Sequence, residues 1–231
     1  MDDTLDEEQK VTARTVLERE GRGFAEEMGL GRTNNPASLF ALLVTAVLVA
    51  PRGEHPAVAA AARELTTRWR TAGDLAGADE QDVAKELGAA VEGDDRRDLD
   101  DTASADHGTL RALAEAVSER YGGDLRRLRE EAGQDPARER ALLTDLPGVD
   151  DAVAEVFLRE VQVLWDEVAP FADARALRAA SALGLGETAE DLGRYGGGPE
   201  KIGRLAGALA RIEVEGSHDE VRRAATSRAS S

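Results

Sequence analysis

The chain of 231 residues contains no cysteine, which removes disulfides, thiol nucleophiles and any metal site built on thiolate ligands. Lysine is almost as scarce: of 29 basic residues only Lys10, Lys85 and Lys201 are lysines, so an amine nucleophile has three possible positions. Aromatic residues make up 3% of the chain, too few for a platform on which single-stranded bases stack. The longest apolar run, Leu39 to Ala50, ends at Pro51 after twelve residues. A membrane-crossing helix needs roughly 20, so the run reads as a buried helix and no membrane partner is expected. The acidic opening Met1-Asp2-Asp3-Thr4-Leu5-Asp6-Glu7-Glu8 lacks the basic and apolar regions of a secretory signal, so a cytoplasmic protein is expected. Beta-branched alternation is nowhere sustained; the expected fold class is all-α.

What is present is helical periodicity. Residues 6 to 28 form a charged pattern with Val11, Leu17 and Phe24 on a loose apolar face. Asn34 or Asn35 is placed to cap the apolar helix, with Pro36 at its first position. Ala-rich and polar helices are expected over 56–70 and 80–90, and others from Thr109 to Arg120 and over 124–131. A Pro136-led helix follows, then Val153 to Val168, Asp173 to Leu183 and Glu200 to Ile212. Residues 92–107, Glu-Gly-Asp-Asp-Arg-Arg-Asp-Leu-Asp-Asp-Thr-Ala-Ser-Ala-Asp-His, read as an acidic mobile loop. Gly193 to Gly198 reads as a connector, since neither a preceding strand nor a Gly-Lys-Ser/Thr sequence supports a phosphate loop. The last dozen residues are expected to fray.

The most informative segment is Leu142-Leu143-Thr144-Asp145-Leu146-Pro147-Gly148-Val149-Asp150-Asp151-Ala152-Val153, followed by Phe171-Ala172-Asp173-Ala174-Arg175. An apolar run enters a tight turn at Leu146-Pro147-Gly148-Val149, where Gly148 can adopt positive φ. A second helical pattern begins at once with Val153, Val156 and Phe157.

This arrangement resembles the helix-hairpin-helix DNA glycosylase superfamily, and within it the endonuclease III-like branch. Further stretches carry the resemblance in order along roughly residues 35 to 186. They are Asn35-Pro36-Ala37-Ser38-Leu39-Phe40-Ala41-Leu42-Leu43, Thr71 to Asp79, Tyr121-Gly122-Gly123-Asp124 and Ala179 to Leu185. The resemblance implies a two-lobed helical fold. Residues 36–160 would form one lobe, containing the hairpin at about 142–158, and 1–35 with 161–231 the other. It implies DNA as the partner, with Pro147, Gly148, Val149 and Asp150 offering backbone amides to a phosphate. Arg52, beside Pro51 in the place of the family's base-replacing loop, becomes a further DNA-contact candidate against the alternative of a surface loop.

Two departures matter. Ala152 stands where the family's lysine attacks the sugar, so combined glycosylase and lyase chemistry is not expected. Asp150 stands where the second hairpin glycine belongs, and Asp150 and Asp151 put carboxylates where a phosphate would sit. The four-cysteine iron–sulfur cluster common among relatives has no ligands here, and no cofactor or metal is expected; His218-Asp219-Glu220 alone does not make a metal site. Asp173 matches the family's assisting aspartate, which in monofunctional relatives supports an oxocarbenium-like sugar and helps deliver water. Its plain alternative is a helix N-cap.

The chain carries 46 acidic residues and a formal net charge of −17. At low salt such a surface repels phosphate backbones; at molar salt the screening length falls to about 3 Å and the charge is hardly felt at a distance. The acidic, lysine-poor composition is similar to that of halophilic, haloarchaeal proteins, with an arginine-rich high-GC bacterial origin as the rival. Three functional expectations stand together: a protein without lyase chemistry that binds damaged or structured DNA, a monofunctional glycosylase using Asp173, and a non-catalytic scaffold for a protein partner.

Overall fold

A computed structural model describes residues 6–21, 33–52, 56–89, 103–195 and 197–229. Among these residues there are thirteen α-helices, two short 3-10 turns and no strand. The chain divides into two compact units, Phe24–Phe157 and Met1–Gly23 with Leu158–Ser231. The expected boundaries were 35/36 and 160/161; the observed division falls at 23/24 and 157/158.

Unit Phe24–Phe157 is built around α2 (Pro36–Val49), which follows α1 (Glu7–Glu20) of the other unit in chain order. The Asn35 side chain accepts the Ser38 amide at 2.9 Å and Pro36 occupies the first turn, so the start is fixed by the expected cap. Every residue from Ser38 to Val49 is buried, as a helix that is apolar on all sides must be. Around it run α3 (Pro56–Arg68), α4 (Ala72–Ala76), α5 (Glu80–Ala89) and α6 (Ala103–Tyr121). α2 packs on α3 and α6, and α6 also packs on α4 and α5. Then come α7 (Arg126–Ala132) and α8 (Pro136–Thr144), which pack on each other, and α9 (Asp151–Val161), within which the division between the units falls.

In the other unit α12 (Pro199–Glu215) is central. Its residues 202 to 212, apart from the half-buried Arg204, are buried, and it packs against α1, α10 (Ala174–Ala182) and α11 (Ala189–Gly193). The last helix, α13 (His218–Ala229), packs on α1. It buries Val221 and Ala225 and is tied by ion pairs from Arg19 to Glu220 (2.6 Å) and from Arg228 to Glu18.

Three expectations need correction. The expected loop over 92–107 lies outside the described residues as far as 102, but from Ala103 the chain is already helical, six residues before Thr109. Of the last dozen residues, those as far as Ala229 are helical, part of α13, rather than frayed. The helix from Val153 does not continue to Val168. It ends at Val161, whose carbonyl accepts the amides of both Leu164 (2.7 Å) and Trp165 (2.9 Å), and a 3-10 turn over Asp166–Val168 follows.

Candidate functional site

The turn between α8 and α9 is closed by the Val149 amide donating to the Leu146 carbonyl at 3.1 Å. Gly148 has φ +75°, and a Cβ added there would lie 2.3 Å from Thr109 Cγ2 on α6, so both conformation and contact call for glycine. Leu146 and Val149 point inward while Pro147, Gly148 and Asp150 are exposed. The alternation seats the turn on the core and leaves its outer backbone facing solvent.

The two acidic residues after the turn do different things. Asp150 caps α9: its Oδ1 accepts the Val153 amide at 2.9 Å and its carbonyl accepts the Ala154 amide at 2.9 Å. Asp151 instead turns back to α8, where Arg140 Nη2 lies 3.2 Å from its Oδ1 and 3.1 Å from Glu155 Oε1. That arginine staples the two helices across the turn. Among the described residues, the amides of Gly148, Asp151 and Ala152 donate to no protein acceptor. Only one first-turn amide is therefore taken by a carboxylate. Ala152 is exposed in this first turn, and its methyl group offers no nucleophile.

Arg52 closes the 3-10 turn Ala50–Arg52, and its Nη1 donates to the Leu48 carbonyl at 2.9 Å, at the C-terminal end of α2. A guanidinium there satisfies an end carbonyl and meets the negative end of the helix dipole.

Asp173 belongs to the other unit and is 3% exposed. It is the N-cap of α10, its Oδ1 accepting the Ala176 amide at 2.8 Å. Its Oδ2 is bound by Nη1 of Arg159, a side chain with no exposed surface. Arg159 Nε lies 3.4 Å from Glu160 Oε1, also buried. One turn along α9's axis and just past its end, Gln162 donates from Nε2 to the carbonyls of Arg159 (2.8 Å) and Phe171 (2.9 Å). Its Oε1 accepts the Phe171 amide at 3.0 Å. Arg159 and Gln162 thus grip the returning segment 171–173, which follows a cis Ala169–Pro170 bond. Gly203 and Gly207 of α12 cover this cluster. A Cβ at 203 would lie 3.5 Å from the Arg159 carbonyl, and one at 207 would lie 3.8 Å from Glu160 Oε1.

The sequence-predicted residues Pro147, Gly148, Val149, Asp150 and Ala152 therefore share one turn. Asp173 meets a residue that sequence reasoning missed. The available signal was a charged pair, Arg159-Glu160, inside the run Val156-Phe157-Leu158-Arg159-Glu160-Val161, where an apolar face should continue. Among the described residues no group of three or more metal-ligating side chains occurs, and no helix is long and apolar enough to cross a membrane. The chain matches no known family model, no curated protein and no solved structure.

Proposed function

We propose that the chain is a helix-hairpin-helix protein of the DNA glycosylase superfamily, with the two-lobed endonuclease III-like fold but neither its cluster nor its lyase chemistry. It engages damaged or structured DNA through the turn at residues 146–150 without excising a base. The observation that carries this reading is the exposed turn itself. A positive-φ glycine seats it, and the amides of Gly148, Asp151 and Ala152 remain open to an acceptor at the N-terminus of an eleven-residue helix. Backbone amides at a helix start, aided by the helix dipole, are a general means of holding a phosphate oxygen. Asp150 reduces that capacity by one amide and adds a negative charge, so affinity is low and strongly salt-dependent. Absence of lyase chemistry follows from Ala152, which carries no amine, and absence of excision from Asp173, whose two oxygens are both bound inside the fold.

The test is duplex binding at low and at molar potassium chloride, after circular dichroism has established folding at each salt. The duplexes carry uracil, an oxidised pyrimidine, 8-oxoguanine or an abasic site. Binding to at least one damaged duplex without base release is expected, and Asp150→Gly should tighten it. Folded protein that binds none of them ends the DNA reading. Base release without strand cleavage instead replaces the non-excising part with a monofunctional glycosylase.

A further inference from the structure

We infer that α13 is a salt-sensitive latch: the helix swings as a unit about Gly216 while α1, α10 and α12 stay folded, and ionic strength sets how often it is open. The latch is independent of the hairpin and of any DNA partner. Little apolar surface holds the helix in place. Among its described side chains only Val221 and Ala225 are buried, whereas α12 buries ten residues. A half-open cavity of about 780 Å³ lies along the contact, lined by Val11 and Thr12 of α1, Leu183 at the end of α10, and Arg222 and Ala225 of α13 itself. Atoms that face a void have no partners across it, so this side of the contact gives α13 little dispersion attraction. Opening of the latch uncovers the cavity and the faces of α1 and α10 beside it.

Charge supplies much of the remaining attraction. α13 carries Arg222, Arg223 and Arg228 against Asp219 and Glu220, a net +1 with histidine neutral, and removing that +1 from the formal −17 leaves −18 on the rest of the chain. α1, on which it packs, has four glutamates against Lys10, Arg14 and Arg19, a net −1. Two ion pairs cross between the helices, Arg19 with Glu220 at 2.6 Å and Arg228 with Glu18, and all four side chains are at least one-third exposed. A third tie runs from Arg222 Nη2 to the Ala182 carbonyl at the end of α10, at 2.8 Å. Exposed pairs are the interactions that dissolved ions screen most. The same ions act the other way on the remainder, where excess carboxylates repel one another and screening favours the compact state. Salt therefore firms the body and loosens the latch. The joint suits that motion: Gly216 ends α12 at φ +65°, and a Cβ there would meet nothing within 4 Å, so the residue has both conformational freedom and open space. A segment held by few buried apolar contacts opens locally at a lower cost than the whole fold.

The experiment is hydrogen–deuterium exchange of the full chain read by mass spectrometry, in potassium chloride from the lowest concentration at which circular dichroism shows folded protein up to molar. Peptides covering 218–229 should exchange at least about tenfold faster than those covering 202–212 in the same sample, as local opening requires. Rising salt should increase that ratio several-fold, by slowing α12 and speeding α13. In Arg19→Gln/Arg228→Gln the ratio at the lowest salt should already reach the wild type's molar-salt value and lose most of its salt dependence. Equal rates for the two helices overturn the inference, since α13 would then open only with the whole fold. A ratio that stays flat or falls with salt also overturns it, as does a double variant that exchanges like wild type. Should the double variant not fold, Glu220→Gln removes one pair from the α13 side and is read in the same way, with a smaller rise expected and no rise at low salt overturning the latch.

Discussion

In unit Phe24–Phe157 large side chains are prominent in the interior: Leu39, Phe40, Leu43, Leu48, Leu65, Leu75, Leu110 and Tyr121 are all essentially inaccessible, with alanines such as Ala62, Ala72 and Ala114 buried among the helices. In the unit Met1–Gly23 with Leu158–Ser231, seven of the fifteen residues of an apolar cluster are alanines, and Arg159, Glu160, Gln162 and Asp173 are buried, as is Trp165. Leucine-rich helices stand apart and fill the space between them with side chains. Alanine and glycine let helix axes approach, which leaves little apolar volume but brings backbone and polar groups within hydrogen-bonding reach. The first kind of interior tolerates exchange of one apolar shape for another. The second depends on charge and amide partners that have few substitutes.

The largest expected effect tests the first interior. Leu43→Ala leaves a cavity where no solvent enters and should cost roughly 2–5 kcal/mol in urea denaturation; a cost under about 1 kcal/mol would show that α2 is not the packed centre of its unit. Next comes Gly148→Ala, expected to cost about 2 kcal/mol because alanine at positive φ is strained and its Cβ would meet Thr109 Cγ2 at 2.3 Å. Adding Thr109→Ser should recover part of that loss, and no recovery would mean that conformation alone sets the need for glycine.

Gly207→Ala sharpens the comparison from the other side. Its Cβ would find Glu160 Oε1 at 3.8 Å and Arg159 Nε at 3.9 Å, which is ordinary contact. Alanine in mid-helix should therefore stabilise by about 0.5–1 kcal/mol, raising the melting temperature. A loss instead would mean that α12 lies too close for any side chain.

The smallest effect is electrostatic and occurs in both units. Glu18, beside Arg14 and Arg228, is held below the usual glutamate range; so is Asp124 by the Arg126 side chain, and Asp191 by the amides of Glu187 and Thr188 and the Thr188 hydroxyl. A carboxylate whose folded pKa is depressed stabilises the fold above its unfolded value and loses that contribution as pH falls through the folded one. Melting temperature should therefore fall as pH drops below about 4. The gap between wild type and Asp191→Asn should narrow over the same range, and a gap independent of pH would remove Asp191 from the account.

Much of this could be read from local sequence, because local chemistry decides it. Asn35-Pro36 announces the start of α2, and the turn at Leu146-Pro147-Gly148-Val149 combines apolar residues that face inward with a glycine that must bend. Asp150 and Asp173 could be recognised as caps from the helical patterns after them. What escaped depends on partners brought together by folding. Whether Asp173 also meets an arginine is undecided by its neighbours, since Arg159 becomes its partner only when the chain reverses after Val161. Helix α13 escaped because two buried apolar residues make almost no periodic signal, and the residues that dock it, Glu18 and Arg19, lie some two hundred positions away. The early end of α9 escaped for a related reason: Val163 and Leu164 continue the apolar pattern, while Gln162 commits the chain to turning.

Gln162 has a consequence that reaches past stability. Its amide presents a donor and an acceptor to the carbonyl and the N–H of Phe171, so it reads that residue's backbone as one base reads another across a duplex, by complementary order. Glutamate would spell two acceptors, leucine would be blank, and asparagine, a methylene shorter, could not reach. In a chain whose described residues contain no strand, this side chain writes a single rung of sheet-like pairing, and its spelling allows one residue.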